Sequence, residues 1–542
     1  MPNAAPRFTL PASFEGWPLV LLIAVYLLVG ATGHLPWRGD DLTHLGPIHA
    51  ILTRGSWLLP ELAGEPFHDY PPLYYWVGAI LAKALGGWIP VHDAARLASS
   101  VFTAAFLYWI GIAAKRLYGA AAFSPAILLG LGSVGLVVHA HETQPMLAQL
   151  AGMALCYAGL AHIKDRPVPG GLEAGIGSGL AFLAGGLPGV VLTLPVMLAA
   201  PVLCPDCRTR TIFGGTALGL GVATLIGGSW LLGIALTHPG ELSMWWQDEL
   251  VAALPHASHL AELDKLLQLL GWFAWPLWPI AGWGIWRGRQ SLTTLPLALP
   301  ITAALLALAV VATTGNLRPA NALPILPPLC LLAALGVASL RRGAANAFDW
   351  FGVMAFTFFA LLVWLGWSAL HFGWPPGLAR QVAKMAPDFP GVSLAWGGVI
   401  GALISLALIF LPMLTRRTPV RGTTNWALGM TLLWCLAVTL WQPWFAYTKN
   451  YQPVATELGA VLARQQQGCI ARKGLGDTQR AALDYFADVR TRPYGAATEC
   501  KMLLTYNTGG NPRNIRGEGL MMWERRLGGG RKAEIFRLYR RD

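Results

Sequence analysis

The chain has 542 residues, of which 55% are hydrophobic and only 12% are charged, and its mean hydropathy is +0.50. Soluble domains carry about 25% charged residues, so this composition excludes an ordinary soluble protein and indicates a polytopic membrane protein. The net charge of +12 does not indicate nucleic-acid binding. The basic residues lie mainly in short loops between apolar runs and not on one clustered face.

Apolar runs define the membrane-spanning segments. A helix needs about 20 residues to cross about 30 Å of hydrocarbon. Runs of this kind predict spans near residues 17–33, 94–114, 121–139, 146–163, 211–236, 267–286, 293–313, 320–339, 348–370, 393–414 and 426–446. The longer run 173–203 is broken at Gly-Gly-Leu-Pro-Gly and predicts two short tilted spans, which brings the total to thirteen. Segment 71–87 begins with Pro-Pro and contains Lys83, so we predict an interfacial or re-entrant helix there.

Basic residues in alternate loops predict the orientation. The clusters are Lys115-Arg116, Lys164 with Arg166, Arg208 with Arg210, Arg287 with Arg289, Arg341-Arg342, and Arg416-Arg417 with Arg421. All six face the cytoplasm if the N-terminus is cytoplasmic, as the positive-inside rule requires. The external segments are then 34–93, 140–146, 237–266, 314–319 and the chain after about 447. In a Gram-negative cell they face the periplasm from the inner membrane.

The polar and basic C-terminal segment predicts a separate small domain. Helical spacing over 452–467 and strand-like runs at GCIARKG, KMLLTYN and AEIFRLYRR favour an external α/β domain, 447–542, after a mainly α transmembrane domain, 1–446. Cys469 and Cys500 fall at the starts of two predicted strands, so we predict a disulfide, with two separate thiols as an equal alternative. The CxxC spacing of Cys204 and Cys207 lacks a second pair, and chance is favoured over a zinc or redox site.

Two adjacent carboxylates, Asp40 and Asp41, follow the first predicted span. One of them can cap the helix that the apolar spacing of Leu42, Leu45 and Ile48 predicts. Capping needs only one carboxylate, however. A second, unneutralised carboxylate at the membrane surface is costly and points to a functional role. From the residues alone, capping and catalysis are about equally supported.

The first external loop resembles that of the GT-C glycosyltransferases, in particular the branch that contains the lipid A aminoarabinose transferases and the protein O-mannosyltransferases. The matching motifs occur in order: Asp40-Asp41, Gly55-Ser56-Trp57, Ala63-Gly64 and Pro71-Pro72-Leu73-Tyr74-Tyr75-Trp76. Further similarity lies at Arg96, at Pro145-Met146-Leu147 and in the stretches GLAFLAGGLPG and LRPANALPILPPL. The resemblance covers the whole chain.

This resemblance implies a GT-C fold and an integral-membrane glycosyltransferase. Such an enzyme moves one sugar from a polyprenyl-phosphate carrier, in bacteria undecaprenyl phosphate, to an acceptor on the periplasmic side. Asp40 occupies the position of the general base, and Asp41 would orient the acceptor or hold Asp40 in place. The acceptor stays open among lipid A, another lipid, a glycan and a protein. Membrane lipids are expected partners, and nucleic acid is not.

Departures from the family pattern concern the carrier phosphate. Asp69 and Tyr70 stand where the family has an acidic residue and the lysine that contacts this phosphate. Arg54 and Arg318 are then the expected phosphate-binding cations, with His68 or Tyr70 helping. In the second external loop, Gln144 replaces an acidic residue before Pro-Met-Leu, and Glu142 is a candidate substitute. The candidates for acceptor binding in that loop are Glu142, Gln144 and His141.

Histidines in two external segments raise the alternative of a metal site. His139-x-His141-Glu142 and His256-x-x-His259 lack the His-x-x-x-His helical spacing, so hydrogen-bonded histidines are the favoured interpretation. We expect no metal site and no firm cofactor, with a divalent cation on the phosphate left open. A lipid-linked-sugar transporter or flippase, or a GT-C relative with altered chemistry, is the alternative function. The scarcity of charges within spans and the lack of a half-repeat disfavour a transporter.

Overall fold

The computed structural model describes residues 14–253, 263–313, 318–386, 389, 394–414, 420–465, 469–496, 499–509, 519–528 and 533–541. Most of this part of the chain is helical. In chain order the α-helices are α1 (Trp17–Leu28), α2 (Asp40–Arg54), α3 (Leu73–Leu85), α4 (Val91–Tyr118), α5 (Phe123–Leu131), α6 (Val134–His139), α7 (Met146–His162), α8 (Pro167–Val191), α9 (Leu194–Leu203), α10 (Arg210–Thr237), α11 (Pro239–Ala253), α12 (Leu263–Phe273), α13 (Leu277–Gly288), α14 (Leu295–Thr313), α15 (Leu326–Ala338), α16 (Arg342–Phe372), α17 (Pro376–Met385), α18 (Leu394–Leu414), α19 (Arg421–Thr448), α20 (Gln452–Gln465) and α21 (Asp477–Ala487).

Two small sheets accompany the helices. Strands β1 (Glu61–Leu62) and β2 (Glu65–Pro66) form an antiparallel hairpin in the loop after α2. The C-terminal sheet contains β3 (Ile470–Lys473), β4 (Arg492–Pro493), β5 (Met502–Thr508), β6 (Leu520–Leu527) and β7 (Glu534–Arg540). Its strand order is β4-β3-β5-β7-β6, parallel on the β4-β3-β5 side and antiparallel at β5-β7-β6. With α20 and α21 this is the small α/β unit expected after the transmembrane helices.

The helices match the predicted membrane spans in position. Seven helical stretches of the described residues are long and apolar enough to cross a membrane: Val91–Tyr118, Pro167–Val191, Arg210–Thr237, Leu295–Thr313, Pro319–Ala338, Arg342–Phe372 and Arg421–Gln465. Shorter apolar helices occupy other predicted positions, among them α1 and α7. The total of thirteen spans stays a prediction. With 13 residues, α3 is only about 20 Å long, too short to cross the hydrocarbon.

The long apolar run 173–203 reverses direction, as its Gly-Gly-Leu-Pro-Gly sequence predicts. Gly186 has φ +62°, outside the helical region. Beyond it the chain returns along its own path, because the Ser178 and Thr193 hydroxyl oxygens lie 2.7 Å apart. A separation of 15 positions would span about 22 Å in a continuous helix. The run therefore folds back on itself as two antiparallel segments.

Small residues allow α7, α8 and α10 to pack closely. A Cβ atom on Gly159 of α7 would lie 2.3 Å from the Ala174 nitrogen of α8, and one on Gly175 of α8 would lie 2.3 Å from the Gly219 oxygen of α10. Backbone contact of this kind is the usual way in which membrane helices associate, because lipid supplies no hydrophobic drive between them. These three closely packed helices connect the loops at the two ends of the bundle.

The predicted basic loops meet at one end of the helical bundle. Lys164 forms an ion pair with Asp206 at 3.1 Å, and both line a cavity of about 360 Å³ together with Arg116 and Ser291. Four of the loops assigned to the cytoplasm therefore lie together. Cys204 and Cys207 border the same cavity as buried free thiols.

The segments assigned to the outside meet at the opposite end of the bundle. There α21 packs on α2, and Leu45 and Ile48 share one apolar core with Ala481 and Phe536. Hydrogen bonds described below also bring the second loop and α11 to this end. The common location agrees with the predicted topology.

Cys469 and Cys500 form the expected disulfide, with a Cα–Cα distance of 5.2 Å. The cysteines come just before β3 and β5, which pair in parallel with Ile470 opposite Met502. Parallel neighbours bring equivalent strand starts side by side, which is why the sequence positions predicted the bridge.

Overpacking the contact between α8 and α10 should destabilise the protein. A Cβ on Gly219 would lie 2.5 Å from the Gly171 oxygen, whereas a Cβ on Gly221 of the same helix meets nothing within 4 Å. Gly219→Val should therefore lower the free energy of unfolding by about 1–3 kcal/mol, while Gly221→Val should not. Thermal unfolding of both purified variants in detergent measures the difference, and equal melting temperatures would contradict the close packing.

Candidate functional site

A buried ion pair joins the first external loop to the membrane helices. Arg96 of α4 and Asp41 of α2 are each only 1% exposed. Arg96 donates from Nε to Asp41 Oδ1 (3.1 Å) and from Nη2 to Asp41 Oδ2 (3.0 Å), a forked contact. Its Nη1 donates to Asp93 Oδ1 at 2.9 Å and to the Ala31 carbonyl at 3.0 Å.

Asp41 is saturated with hydrogen bonds. Its Oδ1 also accepts from the Thr143 amide (2.8 Å) and hydroxyl (2.6 Å), and its Oδ2 accepts from the Trp37 amide (2.9 Å). Burial alone would raise the pKa of this carboxyl, but the charge and hydrogen bonds of Arg96 hold that pKa well below its usual range. An ionised Asp41 with every oxygen occupied anchors the loop. Of the two roles expected for Asp41, holding Asp40 in place agrees with this anchoring, whereas its occupied oxygens leave no acceptor for orienting a substrate.

Asp40, by contrast, is half-buried and lightly bonded. Among the described residues only the Gln144 side chain donates to its carboxylate, from Nε2 to Oδ2 at 3.3 Å. The N-cap residue of α2 is Gly39, with φ +117°, and no side chain caps the helix. The expected capping by one of the two carboxylates is therefore wrong. Both lie in the first turn, where the helix dipole favours negative charge.

Gln144 is fixed by buried hydroxyl groups. Its backbone amide donates to the Tyr74 and Ser99 hydroxyl oxygens at 3.1 and 3.3 Å, and its Oε1 accepts from the Met146 amide at 3.3 Å. The remaining Nε2 donor is thereby directed to Asp40. Gln144 therefore binds the candidate base directly.

The charges of Asp40, Asp69 and Arg318 all act on Tyr70, and we call the region that these four residues share the pocket. Burial, together with the charges of Asp40 and Asp69, raises the pKa of the Tyr70 hydroxyl, which Arg318 partly offsets. Burial and the charge of Asp477 raise the pKa of Asp69, and Arg318 again opposes the rise. Arg318 is exposed, and no described residue forms an ion pair or a side-chain hydrogen bond with its guanidinium. These mutual effects place three of the predicted donor-binding residues together.

Two residues that the motifs did not reveal also face this pocket. His44 follows Asp40 by one helical turn, and its burial lowers the pKa of the imidazole to about 4. Glu249 of α11 is 8% exposed and accepts a hydrogen bond from the Leu187 amide at 3.1 Å. Burial raises the pKa of Glu249 to about 7. Helical spacing from Asp40 could have indicated His44, whereas Glu249 lies in a long loop without a motif.

Arg54 lies elsewhere, contrary to its expected position. It sits at the opposite end of the 15-residue helix α2 from Asp40, about 21 Å along the helix axis. Its guanidinium pairs with Asp484 at 3.1 Å and Glu61 at 3.3 Å. Arg54 therefore joins the first loop to the C-terminal α/β unit and does not contact a phosphate beside Asp40.

His68 is also engaged with protein carboxylates. Its Nδ1 lies 3.0 Å from Asp248 and its Nε2 lies 3.2 Å from Glu241. The histidine thus ties the first loop to α11. Since both ring nitrogens have partners, it is a positioning contact and not a free phosphate ligand.

The second loop separates its expected residues. Glu142 lies 3.5 Å from His139 and does not bond to Asp40. Both nitrogens of the fully buried His141 face backbone carbonyls, of Val137 and Tyr26, at 2.5 Å. His141 therefore belongs to the core and not to an acceptor site. Only Gln144 of the three reaches the pocket.

The described histidines of the possible metal site have other partners. His139 and His141 have the partners just described, and His256 and His259 lie outside the described residues. Among the described residues, one group has metal-like spacing, Cys469, Glu499 and Cys500. Its two sulfurs are joined in the disulfide, so they cannot act as thiolate ligands.

The adjacent carboxylates should respond differently to the same substitution. Asp41→Asn removes the charge that compensates buried Arg96 and should cost about 3 kcal/mol of stability, the lower end for a broken buried pair because Asp93 remains. Asp40→Asn removes only one long hydrogen bond to Gln144 and should leave the melting temperature nearly unchanged. Thermal unfolding of the two variants tests this contrast, and a reversed order would refute the anchoring role of Asp41.

Comparisons with known proteins agree with this architecture. No protein-family model matches the chain. It is 27% identical over 238 residues to the undecaprenyl phosphate-alpha-4-amino-4-deoxy-L-arabinose arabinosyl transferase of Pseudomonas aeruginosa, which is 43% of this chain and 42% of that protein. The enzyme of the same name from Edwardsiella ictaluri is 27% identical over 237 residues, or 41% of each chain. The match thus spans about two fifths of the length of these relatives.

Solved structures extend the similarity to nearly the whole chain. The crystal structure of ArnT from Cupriavidus metallidurans bound to undecaprenyl phosphate superimposes with a TM-score of 0.69, covering 96% of this chain and 97% of that one at 14% identity. The oligosaccharyltransferase of Archaeoglobus fulgidus, in complex with zinc and sulfate, gives a TM-score of 0.51 at 11% identity, covering 90% of this chain and 67% of that one. These likenesses confirm the expected GT-C fold: a multi-pass membrane bundle with a small C-terminal sheet unit.

Proposed function

We propose that the protein is a membrane glycosyltransferase that moves one sugar from undecaprenyl phosphate to an acceptor on the periplasmic side. The observation that carries this proposal is the state of Asp40. Its carboxylate is half-buried and lightly bonded, and the exposed cation Arg318 acts on the same neighbour, Tyr70. Among the described residues, neither the guanidinium of Arg318 nor the second oxygen of Asp40 has a side-chain partner, which suits a phosphate-linked donor and a hydroxyl acceptor.

The pocket has the groups that the reaction needs. A phosphate on the anomeric carbon is already a fair leaving group, so no strong general acid is required. Asp40 takes the proton from the acceptor hydroxyl as that oxygen attacks the anomeric carbon. The bond from this carbon to the phosphate oxygen then breaks, and Arg318 stabilises the phosphate that leaves. Gln144 keeps one Asp40 oxygen oriented, which leaves the other for the acceptor.

The comparisons support the choice of substrates. The relatives named above act on undecaprenyl phosphate-linked 4-amino-4-deoxy-L-arabinose, and the ArnT structure contains undecaprenyl phosphate. We therefore take the undecaprenyl-linked amino sugar as the first donor to test and lipid A as the first acceptor.

Replacing the base should abolish turnover without removing the carrier. Asp40→Asn should reduce the rate of sugar transfer by at least about 10²-fold, as expected for loss of a general base, while binding of undecaprenyl phosphate persists. Mass spectrometry of the product lipid measures transfer by the purified protein in proteoliposomes. Asp206→Asn, the same change at the other end of the bundle, should transfer sugar normally.

Two outcomes would count against the mechanism. Near-normal transfer by Asp40→Asn would remove Asp40 as the base. The wild-type protein could also bind undecaprenyl phosphate but transfer none of several sugars to any acceptor tested. That result would favour a relative with altered chemistry, an alternative suggested by Tyr70 at the position of the family's lysine.

The orientation requires its own test. The six basic loops favour an orientation with the C-terminal α/β unit in the periplasm. Alkaline phosphatase, which is active only after export, should therefore be active when fused after Asp542 and inactive when fused after Arg208. Activity of the Arg208 fusion alone would invert the topology.

A further inference from the structure

His44 is nine-tenths buried, yet one of its ring nitrogens is unpartnered. The residue is 4% exposed, and its Nδ1 lies 3.1 Å from the Tyr75 hydroxyl oxygen. No described residue forms a hydrogen bond with Nε2. This atom is also not completely enclosed by protein, since it does not belong to the buried polar atoms that lack a partner. The Nε2 atom therefore reaches open space in the pocket.

The Tyr75 hydroxyl determines which nitrogen of His44 carries the proton. Tyr75 is fully buried, and burial raises the pKa of its hydroxyl well above the usual value, so the group stays protonated. The Nδ1 atom of His44 is its hydrogen-bond partner. A buried hydroxyl proton without an acceptor is costly. Tyr75 therefore donates to Nδ1, and Nε2 of the neutral ring carries the hydrogen.

The surroundings of His44 indicate what this N–H group binds. Aromatic rings of Phe67 and Tyr70 form one wall, with ring centroids 6.2 and 5.2 Å from the imidazole. The charges that act on the ring come from Asp40, Asp41, Arg318 and Asp477. An N–H donor pairs with an acceptor oxygen and not with a cationic group. Arg318 is the one cation among these four charges, so it is the group that offsets the negative charge of a phosphate oxygen against the three carboxylates.

The spacing along α2 agrees with a phosphate ligand. Asp40 and His44 are four residues apart, so they lie on one face of the helix, about one turn of 5.4 Å from each other. In the proposed transfer, the base and the departing phosphate stand on either side of the anomeric carbon. A spacing of one turn allows the acceptor hydroxyl and the anomeric carbon to lie between Asp40 and a phosphate bound by His44.

We propose that His44 donates a hydrogen bond from Nε2 to a phosphate oxygen of the polyprenyl carrier. This inference rests on the proposed function. Tyr70 stands at the position of the family's lysine and supplies no positive charge. The positive charge for the phosphate then comes from Arg318, and the hydrogen-bond donor aimed at a phosphate oxygen is His44 Nε2. Tyr75 acts through His44 and is a positioning residue.

Two substitutions separate the two nitrogens of His44. The amide of Gln places a donor near the position of Nε2, whereas the shorter Asn reproduces only the position of Nδ1. His44→Asn should weaken the binding of undecaprenyl phosphate about tenfold, as expected for one lost hydrogen bond to a charged group. His44→Gln should stay within about threefold of wild type. Native mass spectrometry of the full-length protein with undecaprenyl phosphate measures both affinities.

A second variant tests the tautomer. Tyr75→Phe frees Nδ1 to carry the proton, so part of the population loses the Nε2 donor and affinity should fall several-fold. Tyr485→Phe is the matched control, because Tyr485 makes the same type of contact to His92 Nδ1, at 3.0 Å. This control should bind undecaprenyl phosphate like the wild type.

The outcomes separate this assignment from the proposed function. Equal affinities of His44→Asn, His44→Gln and wild type would overturn the role of His44 while the transferase proposal stands. Equal losses in both His44 variants, with Tyr75→Phe unaffected, would overturn it as well, because the ring and not its N–H group would then matter. Absence of saturable undecaprenyl phosphate binding by the wild type would refute the transferase proposal itself.

Discussion

The ion pair between Arg96 and Asp41 is the interaction on which the outer end of the molecule depends. A guanidinium buried among membrane helices is tolerated only when its charge and donors are compensated. Arg96 obtains this from Asp41, Asp93 and a backbone carbonyl. Because Asp41 also accepts from Thr143, one buried point joins α2, α4 and the second loop. Asp40 and Gln144 are the next residues along two of these segments, so their contact follows from their neighbours.

The two adjacent carboxylates thus divide between anchoring and chemistry. Successive residues of a helix point about 100° apart, so only one carboxylate can face Arg96 while the other faces the pocket. From the residues alone, capping and catalysis were equally supported for this pair, and the assignment of the base to Asp40 came from the family resemblance. The sequence could not show which of the two residues turned inward. That choice depends on how α2 is rotated about its own axis relative to α4. The apolar contacts of Leu42, Leu45 and Ile48 set this rotation.

Local patterns predicted the helices, the reversal near Gly186 and the disulfide, because each depends on neighbours in sequence. Partners far apart in the chain were not predictable in this way. Arg54 and Asp484 are 430 residues apart, and nothing in either segment marks the other. Arg54, expected as a free cation, therefore forms an ion pair with the C-terminal α/β unit, whereas Arg318 has no side-chain partner among the described residues. His44 was missed for a related reason, since its importance comes from Tyr75, which lies on a different helix.

The C-terminal α/β unit takes part in forming the pocket because it covers the helix that carries Asp40. Glu65 of the loop hairpin binds Arg472 at 2.7 Å and Arg480 at 2.6 Å, and Arg38 binds Glu534 at 3.1 Å. With the pair of Arg54 and Asp484, these contacts hold the first loop along its length. The charge of Asp477 in turn reaches His44 and Asp69. One face of α2 thus rests on the membrane helices and the other on the C-terminal sheet unit, so Asp40 is fixed from both sides while its carboxylate stays open to the pocket.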